Sequence, residues 1–320
     1  MKPVLTVIGE ALVDLVPGGA TGTYREKPGG SPFNVAVGLA RLGNRTSLMA
    51  RFAEDRYGRL LRAAASVEGI DLRAATRAAE RATVAIASVE DAGHVTYEFD
   101  MEGTADWQWT AAELRGLSHT TEVLHFGSIA SWTPPGAERI AKLVGELRAT
   151  GRVLISYDPN VRPAVIGPRE RATAVVEHNV GLADVVKASR EDLDWLCPGL
   201  PVKDIAARWN DLGAEVVVVT DGAAGATAYS RRRAPVRRPG RPVAVVDTIG
   251  AGDAFTAGLL TGLVRRHLHR TGRLAEASQG TLADMVDEAV LVSAITCERE
   301  GADPPRLDEL VDRGGYVISP

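Results

Sequence analysis

Val246-Asp-Thr-Ile-Gly-Ala-Gly-Asp-Ala-Phe255 is the stretch on which the reading of this chain turns. Gly250 and Gly252 let the backbone turn tightly and let a ligand approach the main chain. The residues that follow, roughly 251–268, read as a helix. The first turn of a helix presents unpaired N–H groups and the positive end of a dipole, so phosphate oxygens fit this mouth. Asp253 sits inside it. A carboxylate repels phosphate there, and its presence makes sense if it accepts a proton from an incoming hydroxyl. For a lone Gly-x-Gly the alternative is a helix cap with glycines for turning.

Working outward, strands and helices alternate. Residues 4–9 read as a buried strand closed by glycine, and 11–16 as a short extended piece carrying Asp14. Ser31 is a good N-cap and Pro32 suits the first helical position. Strands are expected at 46–52, 123–126, 153–157, 185–187, 216–220, 225–229 and 243–246. Helices are expected at 57–68, 136–149, 169–178, 189–196, 205–212 and 281–299. This alternation predicts a doubly wound, mostly parallel α/β sheet covered on both faces. Two strands at 83–89 and 94–99, joined around 91–93, break the pattern as a hairpin and belong with the segment near 11–25 in a small extra sheet. The six arginines of 231–241 read as a solvated loop, with nucleotide-phosphate contact as the lesser alternative. Trp107, Trp109, His94 and His125 read as packing residues.

The chain has 320 residues, 45% of them hydrophobic, which is ordinary for a globular protein with a sizeable core. A formal net charge of -4 argues against a general nucleic-acid binder. Cys197 and Cys297 stand in no metal-type spacing and read as reduced thiols. The N-terminus lacks a signal-peptide layout and no stretch reaches the length of a membrane span, so a cytoplasmic protein is expected.

The opening string resembles the signature Asp-Thr-x-Gly-Ala-Gly-Asp-x-Phe of the ribokinase/PfkB carbohydrate kinase family, in a fructokinase-like form. Neither a Walker A pattern nor a protein-kinase motif set is present. The resemblance spans nearly the whole chain: Gly9-Glu10 with Asp14; Pro28-Gly-Gly-Ser-Pro-Phe-Asn34; Asp158-Pro-Asn-Val-Arg162; Val219-Thr-Asp-Gly222 with Gly225; and Arg299 to Pro305. It implies one ribokinase-like domain over 1–320, with a small β lid formed by about 11–30 and 83–107. It implies an ATP-dependent sugar kinase in which Asp253 is the general base. Gly250, Ala251 and Gly252 would supply backbone N–H groups to the transferred phosphoryl. Asp14, Gly29, Gly30, Asn34 and Arg162 would bind the sugar. Lys187, Ser189, Thr220, Gly222 and Gly225 would bind ATP.

Ser189-Arg-Glu-Asp192 lies where many relatives carry Asn-x-x-Glu, a segment linked to Mg2+ and phosphate. Asp192 therefore has a metal reading beside that of a helix-capping carboxylate. Asp247 and Ile249 resemble positions that bind a monovalent cation, such as K+, in some relatives. Relatives that act on ketodeoxygluconate carry a Tyr-Arg pair in the lid where this chain has Asp100 and Met101, flanked by Glu98 and Glu102. An acidic lid strand is expected to repel a carboxylate and favour a neutral sugar, D-fructose first. Ketodeoxygluconate kinase, ribokinase, nucleoside kinase and an inactive sugar sensor are the alternatives. The lid also suggests a homodimer, and no nucleic-acid or membrane partner is expected.

Overall fold

The computed structural model describes residues 2–18, 23–89 and 95–313. Eight strands form the central sheet: β1 (Val4–Ile8), β4 (Arg45–Met49), β9 (Thr121–Gly127), β10 (Leu154–Asp158), β11 (Val185–Ser189), β12 (Val216–Thr220), β13 (Ala226–Ser230) and β14 (Arg233–Arg238). Their order is β14-β13-β12-β11-β10-β9-β1-β4, with β4 through β12 parallel and β13 and β14 antiparallel. From β1 the chain goes outward to β4, then returns to the other side of β1 as β9. The order therefore reverses between β1 and β9, and ligands of open α/β sheets bind beyond the carboxyl ends of strands at such a point.

Both faces of this sheet are covered. In β12, Val216 and Val218 join one core with the Ser31–Arg41, Ala251–Arg265 and Gln279–Cys297 helices. Val217 and Val219 join the other, with the Gly136–Thr150, Arg169–Leu182 and Val202–Leu212 helices. All four valines are at most 3% exposed, which is why such a strand is a continuous β-branched run. The Ser31–Arg41 and Ala251–Arg265 helices pack closely, with Gly38 against the methyl of Ala257: a Cβ added to Gly38 would lie 2.7 Å from the Cβ of Ala257.

A second sheet of four strands stands apart, in the order β3-β2-β7-β8, from β2 (Leu12–Pro17), β3 (Tyr24–Gly29), β7 (Val84–Val89) and β8 (Val95–Asp100). It is the small extra sheet expected from the sequence, the lid sheet. The expected turn at 91–93 and His94 lie outside the described residues. Four segments join this sheet to the core, and buried Asp106 ties three of them. Its Oδ1 accepts from Ala11 N (2.9 Å), at the entry to β2, and its Oδ2 from the Thr83 hydroxyl (2.5 Å), at the entry to β7. Asp106 itself follows the exit from β8.

Four expectations are corrected. Residues 46–52 are not one strand: the chain bends at Ala50, and β5 (Arg51–Ala53) pairs with β6 (Thr76–Ala78) in a separate ladder. Residues 243–246 form no strand; Val245 and Val246 are 63% and 65% exposed. The sheet edge is taken instead by β14, from within the basic run. A proline and outward arginines suit an edge strand, because they discourage further pairing. Arg238 pairs with Asp287, and Arg233 Nε donates to Ala277 O at 3.0 Å. Finally, the N-cap of the first helix is Gly30, not Ser31. Among the described residues no helix is long and apolar enough to cross a membrane. Cys197 and Cys297 are free thiols, and His125 is buried against Ser156.

Candidate active site

A cleft of about 340 Å³ opens where the lid faces the carboxyl ends of β1, β9 and β10. Glu10 and Asp14, Gly30, Ser31 and Asn34, Asn160 and Arg162, and the Thr248–Asp253 turn line it, and Tyr97 and Phe99 close it from the lid. Asp14, Asn34, Arg162 and Asp253, which are scattered over the sequence, are thus brought together.

The glycine pair makes the Asp14 and Asn34 wall of the cleft possible. Gly29 crosses Asp14 so closely that a Cβ would lie 2.1 Å from Oδ2, and Gly30, with φ 99, starts the helix that carries Asn34. Burial, and then repulsion from Asp253, raise Asp14 to about 6. Arg162 donates to Asn160 Oδ1 at 2.8 Å, which holds its guanidinium at the cleft.

On the phosphate side, Gly250 adopts φ 73 as N-cap of the Ala251–Arg265 helix, whose first turn points into the cleft. Ala251 N already donates to Thr248 O at 3.2 Å. The Gly252 and Asp253 N–H groups remain as first-turn donors. Asp253 is 9% exposed and doubly held: Ser31 Oγ donates to Oδ1 at 2.6 Å and Asn34 Nδ2 to Oδ2 at 2.9 Å. Burial pushes its carboxyl above the ordinary range, against the pull of these two donors and of Lys187.

Lys187 lies beneath the turn, within 3.0 Å of where a Cβ of Gly252 would be, and pairs with Asp158 Oδ2 at 2.9 Å. Burial draws its ammonium down, but Asp158, Asp192 and Asp253 outweigh burial and hold it above its usual value. A cation fixed there favours any anion gathered at the helix mouth. The other residues expected to bind ATP sit at or just beyond the ends of β11 and β12, outside the cleft lining. Ser189 and Asp192 form a capping box, and Asp192 also accepts from Val161 N at 2.8 Å, so both its oxygens serve backbone donors. Gly222 faces open space. Gly225 is packed, since a Cβ there would lie 2.1 Å from Arg238 O. Asp247 likewise receives Ile249 N (3.0 Å) and Gly301 N (2.8 Å), which ties the 299–305 loop to the Thr248–Asp253 turn.

The acidic-strand argument for the lid is corrected by strand geometry. Side chains alternate along β8, so Tyr97 and Phe99 face the cleft while Glu98 and Asp100 are exposed on the other side. Asp100 is spent on Arg81, at 2.5 Å. The alternation Tyr-Glu-Phe-Asp carried this signal. Glu10 and Ser31 were also missed as site residues. A carboxylate directly after a buried strand was the available sign for Glu10, whereas nothing local marks Ser31 as more than a cap. Burial raises Glu10 to about 7.

Similarity to known proteins agrees with this geometry. The sequence pattern described as pfkB family carbohydrate kinase matches residues 3–309. A fructokinase of Rhizobium leguminosarum bv. trifolii is 36% identical over 282 residues, covering 87% of this chain and 85% of that protein. A double mutant of fructokinase from Vibrio cholerae O395, crystallised in fructose, ADP and potassium ion bound form, superposes with a TM-score of 0.82 at 29% identity, over 94% of each chain. Aminoimidazole riboside kinase from Salmonella enterica, complexed with aminoimidazole riboside and an ATP analogue, gives a TM-score of 0.81 at 27% identity, over 97% of this chain and 99% of that one. With the phosphate turn, the cleft and the lid in place, this chain belongs to the pfkB family of carbohydrate kinases.

Proposed function

We propose that this protein is an ATP-dependent fructokinase, converting D-fructose to fructose 6-phosphate, and that Asp253 is its general base. The observation that carries the reading is the convergence of the Asp253 carboxylate and the first-turn amides of its own helix on a cleft whose opposite wall holds Asp14 and Asn34. The sugar hydroxyl gives its proton to Asp253. Its oxygen then forms a bond to the γ-phosphorus as the bond to the β-phosphate oxygen breaks, and ADP leaves. The Gly252 and Asp253 N–H groups, with Lys187 behind them, meet the charge on the transferred group, where positioning and electrostatics do most of the work.

ATP would lie along the ends of β11 and β12, past Ser189, Thr220 and Gly222, and supplies the phosphoryl group. Among the described residues no cluster of three or more His, Cys, Asp or Glu could hold a metal. A Mg2+ accompanying the nucleotide would therefore take its ligands chiefly from phosphate and water, as this ion commonly does. Asp247 retains lone pairs beyond its two backbone donors, and with the Ile249 carbonyl it offers the hard oxygens that K+ takes. Asp192, with both oxygens engaged, serves to hold the 158–162 segment.

Fructose is favoured by the name of the Rhizobium relative and by the fructose-bound Vibrio structure. A neutral acceptor also suits the lining, where Glu10, Asp14 and Asp253 face a single cation, Arg162. The nucleoside-like alternative has a specific observation behind it, the similarity to aminoimidazole riboside kinase. Comparing kcat/KM for fructose, ribose, aminoimidazole riboside and ketodeoxygluconate separates the readings. Fructose is expected to lead, and a lead for either of the last two overturns the fructokinase assignment. Asp253→Asn is expected to lower kcat roughly 10²-fold or more while nucleotide binding persists; near-normal turnover removes the base role. A homodimer through the lid belongs to the same proposal. β3 is an edge strand with Tyr24 half exposed, and sedimentation at several concentrations tests it.

A further inference from the structure

Ser31 occupies the place in the sequence where a hydroxyl usually caps a helix, yet it caps nothing. The first turn of its helix has no side-chain cap. The hydroxyl is turned instead to Asp253 Oδ1, 222 residues away, at 2.6 Å, and both residues are 9% exposed. The second oxygen, Oδ2, has a different partner, Asn34 Nδ2 at 2.9 Å, in a less buried setting on the cleft side.

We propose that Ser31 is a positioning residue for the base: its hydroxyl anchors Oδ1 and keeps the carboxylate ionised, leaving Oδ2 as the oxygen that takes the proton. Asn34, an amide in the sugar cleft, exchanges its bond to Oδ2 for one to the incoming sugar, whereas the Ser31 bond persists through the reaction.

The electrostatic setting explains why an anchor is needed. Asp253 is faced by Lys187 from β11, by Asp158 from the end of β10 and, across the cleft, by Asp14 from β2. Glu10 and Arg162 line the same cleft. Lys187 is already paired with Asp158, Arg162 is shared with Asp14, and burial also opposes the charge on Asp253. Hydrogen bonds to the charged form are what restore it. A charge-assisted bond of this kind changes the protonation equilibrium by about tenfold or more.

The inference rests on the base role of Asp253, so the test reads the carboxyl directly as well as through catalysis. Carboxyl carbons of 13C-labelled aspartates are titrated by NMR, and Asp253 is assigned as the resonance missing from Asp253→Asn. In Ser31→Ala the Asp253 titration is expected to move up by about one pH unit. kcat/KM for fructose is expected to fall about tenfold on the acid side and to recover as pH rises. Ser31→Cys, close in size and a weak donor, should follow the alanine variant. An unmoved Asp253 titration, a loss of kcat/KM equal at all pH values, or a cysteine variant that behaves as the parent overturns the proposal. If Asp253→Asn still turns over fructose normally, the base role itself falls, whatever the titration of the Ser31 variants shows.

Discussion

The central sheet and the lid sheet bury their strands in opposite ways, and the difference decides what a strand's sequence can reveal. In β12 successive valines enter two different cores, so each valine is buried whichever way it points. In β8 only one face meets the cleft: Tyr97 and Phe99 look inward, Glu98 and Asp100 outward. A doubly covered strand can be recognised without knowing its register. A singly covered strand means nothing until its parity is known, because a slip of one residue exchanges the two faces.

Substitutions in the two sheets should therefore behave differently. The largest effect is expected in the core. Phe126, on β9, is 1% exposed and packs against the ring of Tyr157 at 4.7 Å between centroids. Phe126→Ala should cost about 3–5 kcal/mol of stability in urea denaturation, and a cost below about 1 kcal/mol would mean that the core is not closed there. Phe99→Ala, on the inward face of the lid, should raise KM for the sugar roughly tenfold, the effect of about 1.4 kcal/mol of lost contact, with little change in melting temperature.

At the joint between the sheets, Asp106 adds a pH dependence. Burial raises its pKa from 3.8 to about 6. Its contribution to stability is therefore complete below the unfolded value and is lost as pH rises through about 6. Between pH 5 and 7.5 the parent should lose roughly 1 kcal/mol that Asp106→Asn does not, measured as the difference in unfolding free energy. An unchanged slope in the variant would mean that Asp106 is not a buried acid. The smallest effect belongs to Glu98→Gln, which should leave KM within about twofold, since its side chain points to water; a larger change would restore the acidic-strand reading of β8.

The parts legible in the sequence share one property: their signal is local. The run at 216–220 announced a central strand, and 246–255 announced an anion-binding helix start with a carboxylate in it. The errors came where the deciding partner is distant. Val243, Val245 and Val246 have strand-forming side chains but no neighbouring strand, because β14 had already taken the edge through residues that look like a solvated loop. Ser31 read as a cap because the carboxylate that claims its hydroxyl comes 222 positions later. Asp192 presented two readings, and the geometry satisfied the capping one through Ser189 in the same turn.

The close approach at Gly38 has a consequence for the timing of catalysis. The helix bearing Asn34 and the helix bearing Asp253 meet with only the methyl group of Ala257 between them at Gly38. The proposed seats of the sugar and of the transferred phosphoryl group therefore belong to one stiff assembly, and their separation is set when the chain folds, not when substrates arrive. A substitution as small as Gly38→Ala, far from any substrate, would act as a shim that moves the two reacting groups apart, and a displacement of one ångström is enough to slow a reaction about a hundredfold.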